Sequence, residues 1–85
     1  MENTGDTRVA VITIIVEDMD SVAGINSILH DANEFIIGRM GLPYKARGIN
    51  IITVALDAPQ NVTSEVSGKL GKLAGVTVKT TFSKM

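Results

Sequence analysis

Cysteine and tryptophan are absent from this 85-residue sequence, histidine occurs once, and the aromatics are one Tyr and two Phe. Without Cys there are no disulfide staples, thiol nucleophiles or CxxC redox pairs, and the lone His30 leaves one chain no His/Cys set for a structural zinc. A Ser/His/Asp triad has no local signature either, so enzymatic catalysis is not expected. Neither sign of charge dominates: eight Lys plus Arg against nine Asp plus Glu give a formal net charge of −1. The basic face that a nucleic-acid backbone demands is therefore missing, and direct nucleic-acid binding is not expected. No run approaches the roughly 18 uninterrupted apolar residues of a membrane span. Positions 1–7 (MENTGDT) lack the plan of a signal peptide, so no membrane contact and a cytoplasmic location are expected.

What is present is 45% hydrophobic residues in a length that holds one domain: a flexible tail over 1–7 and a single folded unit over 8–85. A domain this small removes only roughly 60–65% of its unfolded surface from water. With neither disulfide nor metal, association is the remaining source of added stability. Residues 8–16 (RVAVITIIV) are β-branched and apolar on both faces, which predicts a central strand. The acids and hydroxyl of Glu17, Asp18, Asp20 and Ser21 suit a helix start. Val22, Ile25, Leu29 and Ala32, with Ile28 beside them, then form one helical stripe ending near Asn33. Residues 35–40 predict a short strand, and 41–48, with two Gly and a Pro, a long hairpin loop. Residues 49–56 (INIITVAL) are a second strand apolar on both faces. Asp57-Ala58-Pro59 is expected to break that strand before a second helix, in which Val62, Val66, Leu70 and Leu73 share a face, Glu65 and Lys69 pair, and Gly75 marks the end. The alternation of Val76, Val78, Thr80 and Phe82 with Thr77, Lys79, Thr81 and Ser83 predicts an edge strand.

The order strand, helix, strand, strand, helix, strand predicts an α+β, ferredoxin-like βαββαβ fold: a four-stranded antiparallel sheet with both helices on one face. If Ile12, Ile14 and Val16 with Ile52, Val54 and Leu56 meet the helices, then Val9, Val11, Ile15, Ile49, Ile51 and Ala55 lie on the uncovered face. Burying a Val or Ile is worth about 1.5–3 kcal/mol, so these six form the expected interface of a homo-oligomer, a dimer or tetramer.

Two places carry ligand-like chemistry. Asp18, Asp20 and Gly24 sit in the first strand-to-helix turn, and Arg39, Tyr44, Lys45 and Arg47 gather three cations and a phenol around the hairpin, suited to a carboxylate or phosphate. A solvated loop whose charges guard an edge strand is the plainer account of the second cluster, and helix capping that of the first. His30 suits the C-terminal dipole of its helix; alternatively, symmetry could gather copies of it, with Asp31 or Glu34, into a metal site. The run Ser67-Gly68-Lys69-Leu70-Gly71-Lys72 lacks the spacing and preceding strand of a Walker loop. Its glycines predict close approach to the sheet or to a neighbouring chain.

The segments Gly38-Arg39-Met40-Gly41-Leu42-Pro43-Tyr44, Gly48-Ile49-Asn50-Ile51-Ile52 and Ser67-Gly68-Lys69-Leu70-Gly71-Lys72-Leu73-Ala74-Gly75-Val76-Thr77-Val78-Lys79-Thr80 resemble the iron-only hydrogenase system regulator family over nearly the whole chain after the tail. The resemblance implies an ACT-like unit, similar also to the C-terminal domain of the nickel-responsive regulator, that oligomerises. It further implies a non-enzymatic regulator that binds a small effector (an amino acid, an anion or a metal) at a subunit interface and acts on a protein partner of the hydrogenase system. No cofactor is identified. The chain departs from the nickel-responsive pattern in offering only His30 and, within these residues, no DNA-binding domain. It departs from the amino-acid-binding signature Asp-x-Pro-Gly-x-Leu in reading Asp20-Ser21-Val22-Ala23-Gly24-Ile25. The alternative is an assembly protein whose apolar sheet face binds another polypeptide, with no small ligand.

Overall fold

The computed structural model describes residues 6–84. Six main elements follow one another: β1 (Thr7–Val16), α1 (Val22–Asp31), β2 (Ile36–Tyr44), β3 (Ile49–Pro59), α2 (Gln60–Gly71) and β4 (Val76–Phe82). The strands form one sheet in the order β2-β3-β1-β4, antiparallel throughout. This is the expected ferredoxin-like arrangement, with β1 and β3 central. Thr7 already belongs to β1, while positions 1–5 of the expected tail lie outside the described residues. No helix among the described residues is long and apolar enough to cross a membrane.

The core lies between the sheet and the helices. Ala10, Ile12, Ile14 and Val16 of β1 meet Ile52, Val54, Leu56 and Ala58 of β3, and Ile25 and Leu29 of α1 with Val66 and Leu70 of α2 close over them. Both helices thus bury the stripe that their three- and four-residue spacing marks out. The Glu65–Lys69 pair forms at 3.4 Å on the solvent side of α2.

Three boundaries differ from the sequence reading. Residues 41–44, expected in a loop, extend β2 opposite Ile52, Ile51, Asn50 and Ile49. The connection shrinks to one 3-10 turn, Lys45–Arg47, closed by Gly48 at φ 67°. Asp57, Ala58 and Pro59, expected to break β3, continue it opposite Val9, Arg8 and Thr7. Gly71, rather than Gly75, ends α2.

The two prolines are tolerated for one reason. The Ser83 N–H donates to Val9 O at 2.9 Å, and in an antiparallel ladder both backbone groups of a residue point the same way. Odd-numbered residues of β1 therefore bond β4, and its even-numbered residues bond β3. By the same alternation, Met40, Leu42 and Tyr44 turn their backbone groups to β3, whereas those of Arg39, Gly41 and Pro43 point out of the sheet edge. Pro43 loses no ladder bond. Pro59 faces the β2 side beyond Ile36, where β2 has no residue to offer.

The β1–α1 turn is joined to the α2–β4 turn. Glu17 N–H donates to Gly75 O at 2.7 Å, and Ser21 Oγ donates to Ala74 O at 2.6 Å. Gly75 has φ +68°, and a Cβ there would lie 2.7 Å from Asp18 Cβ. Gly68, by contrast, sits in α2 with nothing within 4 Å of a Cβ, so the expected close approach of this glycine to the sheet does not occur; Gly71 is equally open. Gly75→Ala is expected to lose roughly 1–3 kcal/mol of stability through strain and overlap. Gly68→Ala is expected to gain up to about 1 kcal/mol from helix propensity. Urea denaturation of the two variants beside the parent checks both signs.

Candidate functional site

Two surfaces stand out, one on each side of β2. The first is the sheet face that the helices leave bare. The register places Val9, Val11, Thr13 and Ile15 of β1 beside Asp57, Ala55, Thr53 and Ile51 of β3, with Thr77, Lys79 and Thr81 of β4 on the same face. All six residues expected on the uncovered side are there. Val9 and Ile15 are each 42% exposed and Ile51 36%; Val11, Ile49 and Ala55 are half-buried.

The strand β2 adds three large groups to this face that the sequence reading did not assign to it. Ile36 stands opposite Leu56 and Gly38 opposite Ala55, so Ile37 is an extra residue in β2, a β-bulge. One extra residue moves every later side chain to the other face. Ile36 accordingly lies on the helix side, whereas Met40, Leu42 and Tyr44 emerge on the bare side, 56%, 52% and 51% exposed. The apolar area is thus displaced toward β2. Lys79 and the threonines of β4 form its polar margin on one side, and Asp57 lies at one end.

The bulge also divides the basic cluster. Tyr44 belongs to the bare face, Lys45 and Arg47 to the hairpin turn, and Arg39 to the helix side, where its Nη2 donates to Asn26 Oδ1 of α1 at 3.1 Å. Lys45 borders a hollow of ≈ 300 Å³ with Met19, Pro43, Gly48, Ile49 and Asn50. The four residues do not form one site.

The second surface is a groove between α1 and the edge of β2. A hollow of ≈ 420 Å³ is bordered by Asn26, Leu29, His30 and Asn33 on one bank and by residues 36–39 on the other. His30 and Arg39, selected from the sequence for different chemistries, face the same space. Asp31 instead borders a separate hollow between α1 and α2, with Glu65 and Lys69. No group of three His, Cys, Asp or Glu among the described residues is placed to hold a metal.

Asp18 and Gly24 have structural roles, and Asp20 contributes its backbone N–H to one of them. Asp18 Oδ1 accepts the Asp20 N–H at 2.9 Å and caps the 3-10 turn Met19–Ser21 that leads into α1. Gly24 lets Leu73 approach α1, since a Cβ there would stand 3.2 Å from Leu73 Cδ2.

Residues 8–80 match the TM1266-like family, described as "Iron-only hydrogenase system regulator, putative". The chain belongs to this family. The uncharacterized protein TM1266 of Thermotoga maritima superposes with a TM-score of 0.88 at 33% identity, over 92% of this chain and 99% of that one. A formyltetrahydrofolate deformylase from Pseudomonas putida KT2440 shares the fold at TM-score 0.64 and 11% identity, over 86% of this chain and 28% of that one. An unknown protein from Galdieria sulphuraria does so at 0.63 and 12%, over 93% and 46%. At such identities these two show the fold alone. No curated protein sequence matches the chain.

Because the Asp18 carboxylate caps a turn, Asp18→Ala is expected to lower stability by about 1 kcal/mol. Chemical denaturation checks this, with far-UV circular dichroism at zero denaturant expected to match the parent.

Proposed function

We propose that this chain is a non-enzymatic regulator of an iron-only hydrogenase system that works in the cytoplasm as a homo-oligomer, joined through its bare sheet face and responsive to a small effector. One observation carries the reading: the row of Val9, Ile15, Ile51, Met40, Leu42 and Tyr44 on a face that no part of the described chain covers. Each Val, Ile, Leu or Met side chain there is already about half covered, so burying the rest is worth about 0.7–1.5 kcal/mol, half the value of full burial, and both copies contribute. Such a row exceeds the low end of the roughly 4–15 kcal/mol that association costs in lost freedom. A largely apolar face of this kind, crossed by the Thr13–Thr53 pair, marks an interaction surface, and a second copy offers the same face in complement. Family membership supplies the regulatory context. Regulation then requires that the effector bind two arrangements of the assembly with different affinity.

The alternative, an assembly protein that uses this face for a different polypeptide, draws on the same side chains and needs no effector. Sedimentation equilibrium separates the two readings. The parent at micromolar concentration is expected to have a mass that is a multiple of one chain. Ile51→Asp is expected to reduce that mass to a single chain while keeping the parent circular dichroism, because Ile51 lies outside the helix-covered core. A parent of single-chain mass overturns self-association and favours a different polypeptide on that face.

A further inference from the structure

The groove between α1 and β2 combines features that the fold itself does not use. Both helices pack over β1 and β3, so the outer strand β2 keeps open space on its helix side: Gly41, opposite Ile52, would carry a Cβ with nothing within 4 Å. Past Arg39 the hollow continues as a second space of ≈ 250 Å³ beside Gly41, Pro43 and Asn50. Arg39 and Asn26 border both spaces and stand at their junction.

The polar groups at that junction favour negative charge. The Arg39 guanidinium is held by a neutral partner, the Asn26 amide oxygen at 3.1 Å, so its charge is not balanced by a carboxylate. That bond aims the planar fork and leaves the Asn26 Nδ2 hydrogens as further donors. His30 follows Asn26 by four residues on α1, which places it on the same helical face, and Asn33 lies beyond it. Neither hollow is bordered by an Asp or Glu. Apolar side chains supply much of the remaining lining, half-buried Ile36 and exposed Ile37 in one space and Val22 and Pro43 in the other. A guanidinium fork flanked by amide donors matches a carboxylate or phosphate group, and the apolar lining matches an organic body attached to it.

We propose that the α1–β2 groove binds a small organic anion, its carboxylate or phosphate head on Arg39 with Asn26 and His30, and its apolar body along Ile36 and Ile37. His30 acts in this site as a hydrogen-bond donor. The proposal rests on the regulatory reading only for the role of the anion as effector; binding and chain assembly have separate readouts.

The test is a 1H–15N NMR titration of the full chain with benzoate, phenyl phosphate, inorganic phosphate and uncharged benzamide. Saturable shifts at Gly38, Arg39 and Gly41 and at the side-chain amides of Asn26 and Asn33 are expected with benzoate or phenyl phosphate, and the stronger of the two identifies the head group. Benzamide is expected to give none, and inorganic phosphate, lacking an apolar body, weaker ones. Arg39→Gln and His30→Ala are expected to raise the dissociation constant, Arg39→Gln by at least tenfold; Arg47→Gln, in the hairpin turn, should leave it within twofold. Arg39 is exposed, so its variant should keep the parent circular dichroism. Absence of saturable shifts with both organic anions, shifts centred on Lys45 and Arg47, or an Arg39→Gln variant that binds as well as the parent overturns the proposal. Sedimentation with and without the bound anion reports separately on regulation: groove binding with unchanged assembly retains the site and removes the effector role.

Discussion

Apolar residues on both faces of β1 and β3 require cover on both sides of the sheet, and two helices of 10 and 12 residues supply it on one. That mismatch shapes the molecule. Right-handed crossovers place α1 and α2 together, where they bury Ile12, Ile14, Val54 and Leu56 completely or nearly so. The opposite side chains of the same strands remain at the surface, although a β-branched pair such as Ile15 and Ile51 in register across two central strands suits an interior. The described residues hold neither a third α-helix nor a disulfide to resolve this, which is why association is the physical core of the functional reading.

The bulge at Ile37 determines how the outer strand takes part. It turns Met40, Leu42 and Tyr44 toward the bare face and Arg39 toward the helix side, so one strand serves two surfaces of unlike character. The large apolar groups extend the area available to a second copy, while the guanidinium, tethered to Asn26, lines a groove on the other side of the sheet. The two surfaces therefore share a single edge strand, on opposite sides of its pleat.

Most of the architecture was legible because its signals were periodic. Alternation within β1 and β3 identified the central strands and both of their faces, and the spacing of Ile25 and Leu29, and of Val66 and Leu70, identified the buried sides of the helices. The misplaced boundaries involve glycine and proline, whose meaning depends on a direction that a sequence does not display. Pro43 and Pro59 read as breaks because the orientation of their missing N–H groups follows from the ladder, not from neighbouring residues. Met40 and Leu42 were not assigned to the bare face because a bulge reverses side-chain parity without a compositional mark. Arg39 and His30 were both visible as polar candidates, but their shared groove depends on where α1 lies relative to β2, a tertiary relation with no local signal. The basic cluster was legible as composition only: its four members are adjacent in sequence and separated by the sheet.

The joint between the two strand-to-helix and helix-to-strand turns bears on how this chain is made. Glu17 and Ser21 take their partners from Gly75 and Ala74, and Thr13 of β1 reaches Lys79 of β4 across 66 positions. β1 thus waits for β4 before its ladder is complete. Pairings so distant in the chain carry a loop-closure cost that slows folding. During that interval the β4-side edge of β1 stands unpaired, a template that the same strand of a sister molecule could occupy in its place.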